Sequence, residues 1–226
     1  MRGLRLTDCL PLAAIYGGYS LAGWVGRRLR GPLWDATLEG WDRRLFGVDP
    51  GIWLREALPR PALDLLECFY FSYYLLVVLG PWLMWARHGR RALWELWSAA
   101  GLAYLVCDLL FPWFPSTPPR VRWPEFAARG GARVWNRWIL DRFSIGANVF
   151  PSSHAAAGAA FAVAHRRWDR RWGWLFACWG VGIAVSTVSG GYHYGVDAAG
   201  GLAVGWAAGR AGSWLHRRFH PGEAAG

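Results

Sequence analysis

Two histidines and an aspartate stand out among the 226 residues as groups able to do chemistry together. His193 precedes Asp197 by four positions, which places both side chains on one face of a helix. A carboxylate against one imidazole nitrogen fixes the tautomer and makes the other nitrogen more basic, as a nucleophile or general base requires. A purely structural His–Asp pair is the plainer reading. Burying an imidazole and a carboxylate in a membrane segment is costly, however, and by default marks function. His154 closes the string Pro151-Ser152-Ser153-His154. Pro followed by Ser is a helix start with Ser152 as its cap. The unpaired N–H groups and positive dipole end of such a start suit an anion, phosphate among them. The same four residues also read as a cap with an incidental interfacial histidine. Arg120, which ends Ser116-Thr117-Pro118-Pro119-Arg120, can grip phosphate in a bidentate fork or simply anchor the chain at a membrane edge.

A second tier of polar residues lies on apolar segments. Glu67, Tyr70, Tyr73, Tyr74 and Asp108 could read a polar headgroup, with Glu67 or Asp108 placing an acceptor alcohol. Interfacial tyrosines and inter-helix hydrogen bonds are the alternative. His88, His165, His216 and His220 fall on the opposite side of the expected topology, as solvated residues. Cys9, Cys68, Cys107 and Cys178 are scattered without a CxxC pair, which predicts free thiols rather than zinc or a disulfide frame. No metal and no cofactor are expected.

These groups need elements to hold them. The chain is 54% hydrophobic with 18 Trp, and only 18% charged, against about 25% in soluble domains. Long apolar runs with abundant Trp predict a membrane protein. Six runs have the required length, near residues 9–26, 63–86, 92–112, 150–166, 172–190 and 195–215. The expectation is an all-α polytopic membrane protein: one six-transmembrane-helix bundle over 1–226. The first run, preceded by Arg2 and Arg5, lacks a clear small-residue cleavage site and reads as a retained span. Trp34, Leu38, Trp41 and Leu45 recur at helical spacing in one long loop, and Val134, Trp135, Trp138, Ile139 and Phe143 in the other. Both predict amphipathic helices, lying on the bilayer or packed on the protein. Gly201, Gly205 and Gly209, and the Ala-rich start of the fourth run, predict close helix packing.

All 25 basic residues are Arg, for a net charge of +10. They lie between apolar runs, which fits lipid headgroups rather than nucleic acid, for which no motif is present. Arg87, Arg90, Arg91, Arg166, Arg167, Arg170, Arg171, Arg217 and Arg218 crowd the short loops and the end of the last run. That density predicts a cytoplasmic side there, against the competing Arg27, Arg28 and Arg30 of a long loop. Whichever way the chain inserts, counting crossings puts Arg120, the Pro151–His154 string and His193–Asp197 on one face.

These motifs resemble the type 2 phosphatidic acid phosphatase superfamily. Its second motif is P-S-x-H, matched by Pro151-Ser152-Ser153-His154; its third has Ser, His seven on and Asp four further, matched by Ser186, His193 and Asp197. The third-motif Arg is replaced by Thr187, and the first-motif Lys is absent. Thr117-Pro118-Pro119-Arg120 and Tyr192-His193-Tyr194 look more like a divergent branch that includes inositol phosphorylceramide synthases. The resemblance implies metal-independent hydrolysis of a membrane lipid phosphate through a phosphohistidine. His193 is then the nucleophile, Asp197 its orienter and His154 the proton donor. Ser152, Ser153 and Arg120, with Arg122 second to it, hold the phosphate. A phosphotransferase using an acceptor alcohol is the close alternative, and a proton-coupled transporter the remote one. The expected place is a bacterial plasma membrane, with the site on the extracytoplasmic face.

Overall fold

The computed structural model describes residues 4–29, 31–126, 131–147 and 150–219, over which the chain is all-helical. Arg2, Arg30 and His220 lie outside the described residues. The helices are α1 (Leu10–Leu29), α2 (Asp35–Phe46), α3 (Pro50–Ala57), α4 (Arg60–Leu110), α5 (Pro119–Arg122), α6 (Ala132–Phe143), α7 (Ser153–Trp168), α8 (Arg170–Ser189) and α9 (Gly195–Phe219).

The longest helix is a hairpin. Gly89 interrupts α4 with φ 79° and ψ −174°, a backbone conformation that glycine reaches without a Cβ penalty. The hydroxyls of Tyr73 and Tyr104 meet at 2.5 Å, whereas 31 residues of unbroken helix would hold them about 46 Å apart. The chain therefore doubles back at Gly89 into arms 60–88 and 90–110.

Each expected apolar run falls on a helix: α1, the two arms of α4, α7, α8 and α9. The apolar length of a membrane span is met, among the described residues, by Arg60–Trp113 and Arg170–Ser189. The others fall short for physical reasons. The 16 residues of α7 extend about 24 Å, less than a hydrocarbon core of about 30 Å. The 25 residues of α9 are rich in Gly and Ala and include Arg210. Leu75, Val78, Trp82, Leu105, Leu109, Leu175 and Val181 are exposed on the outer faces of α4 and α8, an apolar surface suited to lipid.

The bundle closes around α7, which packs tightly on α4, α8 and α9. Small residues permit this. A Cβ on Gly205 would lie 2.0 Å from the Ala156 carbonyl oxygen, and one on Gly158 would lie 2.7 Å from Gly180 Cα. Gly201 and Gly209 meet α7 in the same way, at Ser152 and Val163, so the four-residue glycine spacing is the α9 contact face.

The loop helices differ from each other. In α6 the apolar residues Val134, Trp135, Trp138 and Phe143 point outward, while Arg133 and Asn136 are buried. In α2 Leu38 is buried against Tyr194 and Val196, so this helix packs on the protein. His165 and His216 are buried, His165 stacked on Phe176 at 3.8 Å. This corrects the expectation of solvated histidines there: both lie on the inward faces of α7 and α9.

Candidate active site

The turn between α8 and α9 presents His193. It forms because α8 ends at Gly190 and Gly191 takes φ 68°. The backbone N–H groups of Tyr192 and His193 then fold back to donate to the Thr187 carbonyl oxygen, at 2.8 and 3.0 Å. Thr187 thus serves the turn through its backbone. His193 Nδ1 lies 3.4 Å from Asp197 Oδ2, which also accepts from Tyr194 N at 2.9 Å. Both residues are buried. With Nδ1 turned to the carboxylate, Nε2 is the free face of the ring.

His154 stands one residue into α7. Its ring centroid is 5.7 Å from that of His193, with the planes 62° apart. Ser152 caps the helix, its Oγ accepting from Ala155 N at 3.4 Å, and its own N–H donates to the Asp197 carbonyl oxygen at 3.0 Å. The two motifs are therefore joined backbone to backbone. Ser153, beside His154, faces an apolar cavity; Ser152 is wholly buried as cap and link.

Arg120 closes the third side. Its N–H donates to the Gly191 carbonyl oxygen at 2.7 Å, and its guanidinium sits 5.5 Å from the centre of the Tyr192 ring. No carboxylate pairs with Arg120 among the described residues. Arg122 points elsewhere, pairing with Asp35 and Glu39 of α2 and donating to the Tyr194 hydroxyl at 3.0 Å. Of the two arginines, Arg120 is the one placed to meet an anion.

The second-tier residues divide. Tyr70 is buried as a platform, its ring stacked 5.3 Å from His154 and 3.9 Å from Tyr192. Glu67 is fully engaged within the protein. Its carboxylate pairs with Arg133 and accepts from Asn136 Nδ2 at 2.8 Å and the Tyr192 hydroxyl at 2.6 Å. Asp108 lies against Gly18 of α1 and does not line the cavity beside His154. No group of three His, Cys, Asp or Glu side chains able to hold a metal occurs among the described residues.

Asp42 was not legible as part of the site. Its carboxylate accepts from Gly195 N at 2.8 Å and Val196 N at 2.7 Å, capping α9 just ahead of Asp197 from a different helix. The available signal was its position four residues after Leu38, a carboxylate on the buried stripe of α2. Burial, opposed by these two bonds and reinforced by the charges of Asp197 and Asp49, pushes the Asp42 carboxyl up to about 6 from 3.8. The folded chain therefore binds this proton more tightly than the unfolded chain. The resulting stabilisation is fully present below about pH 4 and is lost as pH rises through 6. Thermal unfolding in detergent should show the wild type losing stability relative to Asp42→Asn between those values. A pH-independent difference would contradict that reading.

Two imidazoles, one backed by a carboxylate, face each other beside an arginine. By their chemistry they form a site able to hold an anion and move protons around it. A family model for the PAP2 superfamily matches residues 37–211, which include every residue of this site, and the chain belongs to that superfamily. Its members are generally phosphatases or related phosphotransferases, and membership supports a function of that general type. Neither a curated protein nor a solved structure matches the chain.

Proposed function

We propose that the protein is a metal-independent lipid phosphatase spanning the membrane six times. The observation that carries the lipid assignment is the cavity of about 280 Å³ that reaches His154 and Ser153. Its walls are Leu12, Ile15, Val77, Ile139, Leu140 and a ring of aromatic residues from α1, α4 and α6. An apolar cavity ending on a catalytic imidazole fits a hydrocarbon chain whose phosphate lies at the reacting groups.

In the proposed reaction Arg120 and the α7 start hold the phosphate. His193 Nε2 attacks phosphorus as the bond to the lipid oxygen breaks, and protonated His154 donates its proton to that oxygen. Water then attacks the phosphohistidine and gives His154 a proton, releasing phosphate and restoring both imidazoles. Positive charge beside the equatorial oxygens stabilises both transition states. Arg120→Ala is expected to reduce kcat/KM by about 10²–10³-fold, as for loss of one electrostatic donor. Lipid-phosphate hydrolysis in detergent would measure this, and an unchanged rate would remove Arg120 from the site.

Acceptor alcohols would use the same first step, so phosphotransfer is the second reading. The cytoplasmic assignment is supported by the gathering of Arg-rich turns at the end of the bundle away from His193. There Arg167 and Arg217 share Glu95, and Arg87 approaches Asp169. That arrangement supports our reading of a site on the outer face of a bacterial plasma membrane.

The test is incubation of the purified protein with phosphatidate, polyprenyl diphosphate and phosphatidylinositol phosphates in EDTA, following phosphate and lipid products. Phosphate release supports the phosphatase. Phosphate-bearing product formed only with added acceptor alcohol supports the transferase. Silence in both, or loss of all turnover to EDTA, overturns the proposal.

A further inference from the structure

A second cavity, of about 740 Å³, shares no lining residue with the one that reaches His154. It is a groove at the other end of the bundle. α7 packs closely on both α8 and α9, but those two helices meet each other little, leaving a cleft floored by α7. Ala159, Ala162 and Val163 form the floor, with Ala177 and Val181 of α8 on one side and Leu202 and Trp206 of α9 on the other. The arginine-lined end of the groove is the distant one: Arg166 lies 12 residues along α7 from His154, about 18 Å.

The mouth of this apolar groove is basic. Arg166, Arg167, Arg210 and Arg217 line it, and no acidic residue does. Arg167 and Arg217 converge on one buried carboxylate, Glu95, at 2.7 and 3.3 Å. Two guanidiniums thus share a single negative charge. Arg166 and Arg210 pair with no carboxylate among the described residues and rest on the rings of Trp174 and Trp206. A guanidinium held over an aromatic ring keeps N–H donors available to phosphate oxygens. Trp206 and Trp214 are exposed beside them, as indoles are at a membrane–water boundary.

We propose that this groove binds an anionic glycerophospholipid: its phosphate on Arg166 and Arg210, its acyl chains along the Ala- and Val-lined floor. A basic pocket between membrane helices that continues into an apolar cleft matches such a lipid in both charge and shape. A zwitterionic lipid carries its own cation and gains less from the uncompensated arginines. The proposal does not depend on the reaction assigned to the histidines.

The experiment is native mass spectrometry of the full chain released from nanodiscs of phosphatidylglycerol mixed equally with phosphatidylcholine. The expected result is selective retention of phosphatidylglycerol, weakened roughly tenfold or more in Arg166→Gln/Arg210→Gln, at about fivefold per arginine. The control Arg142→Gln, on exposed α6, should retain the lipid as the wild type does, and so should Arg120→Ala, which separates the groove from the reacting site. The double variant should melt in detergent within a few degrees of the wild type, showing that it folds. Equal retention of both lipids, or undiminished preference in the double variant, would overturn the proposal. So would displacement of the lipid by millimolar inorganic phosphate alone, which would identify a simple anion site.

Discussion

Replacing His193 by alanine is expected to lower phosphate release from a lipid phosphate by roughly 10⁴-fold or more, the scale on which enzymes lose rate with their nucleophile. The neighbouring imidazole cannot substitute. His154 is fixed on α7 with its ring between Tyr70 and Tyr73, at 5.3 and 4.2 Å. His154→Ala is expected to behave differently. An acid is needed only while the leaving oxygen requires a proton, so this variant should recover activity on aryl phosphates, whose leaving groups depart unprotonated. The comparison is a matrix of two variants against alkyl and aryl substrates. Equal losses for both variants on both substrates would remove the division of labour, and wild-type turnover by His193→Ala would remove the site.

The second large effect concerns stability. Arg133 on α6 donates to the Phe126 carbonyl oxygen, and to that of Gly190 at 3.0 Å, besides pairing with Glu67. Arg133→Ala leaves the Glu67 carboxylate buried without its cation, a change that typically costs about 3–5 kcal/mol. The melting temperature in detergent should fall accordingly. Glu67→Gln/Arg133→Gln should fall less than Arg133→Ala, because no uncompensated charge is left behind. The turn that carries His193 meets this cluster at two points, the Gly190 carbonyl and the Tyr192 hydroxyl. Surviving Arg133→Ala protein should therefore lose kcat while KM changes little. A raised KM with normal kcat would instead assign Glu67 to headgroup contact, and unchanged melting would remove the structural role.

The sequence pointed to the proposed reacting groups more readily than to their supports. His154, His193 and Asp197 were legible because each residue type has a chemical use at its spacing and all three fall at one end of the helices. The helix positions were legible from apolar runs, and the α9 packing face from glycines four residues apart. Hydropathy reads α7 least firmly, because a helix shielded by its neighbours needs small residues more than apolar length. Asp42, Arg133 and Asn136 could not be placed in the site, since their partners lie 153, 66 and 69 residues away. A polar residue on a buried helical stripe announces that a partner exists without saying which. The same limit applied to Glu67, whose carboxylate looks equally suited to a ligand or to an arginine. Only the three-dimensional arrangement shows that its oxygens meet Arg133, Asn136 and Tyr192.

The bond from Ser152 N–H to the Asp197 carbonyl has an evolutionary implication. Both histidines lie within one short length of chain, 151–197, and are held in register by main-chain atoms that substitutions other than Ser152→Pro leave in place. The cavity that ends on His154 is walled largely by α1, α4 and α6, which come from outside that length. On the proposed reading, the two histidines and the lipid chain are thus held by separately mutable parts of the polypeptide. A lineage could trade one lipid for another by drift in α1 and α6 while the reacting atoms stay where they are.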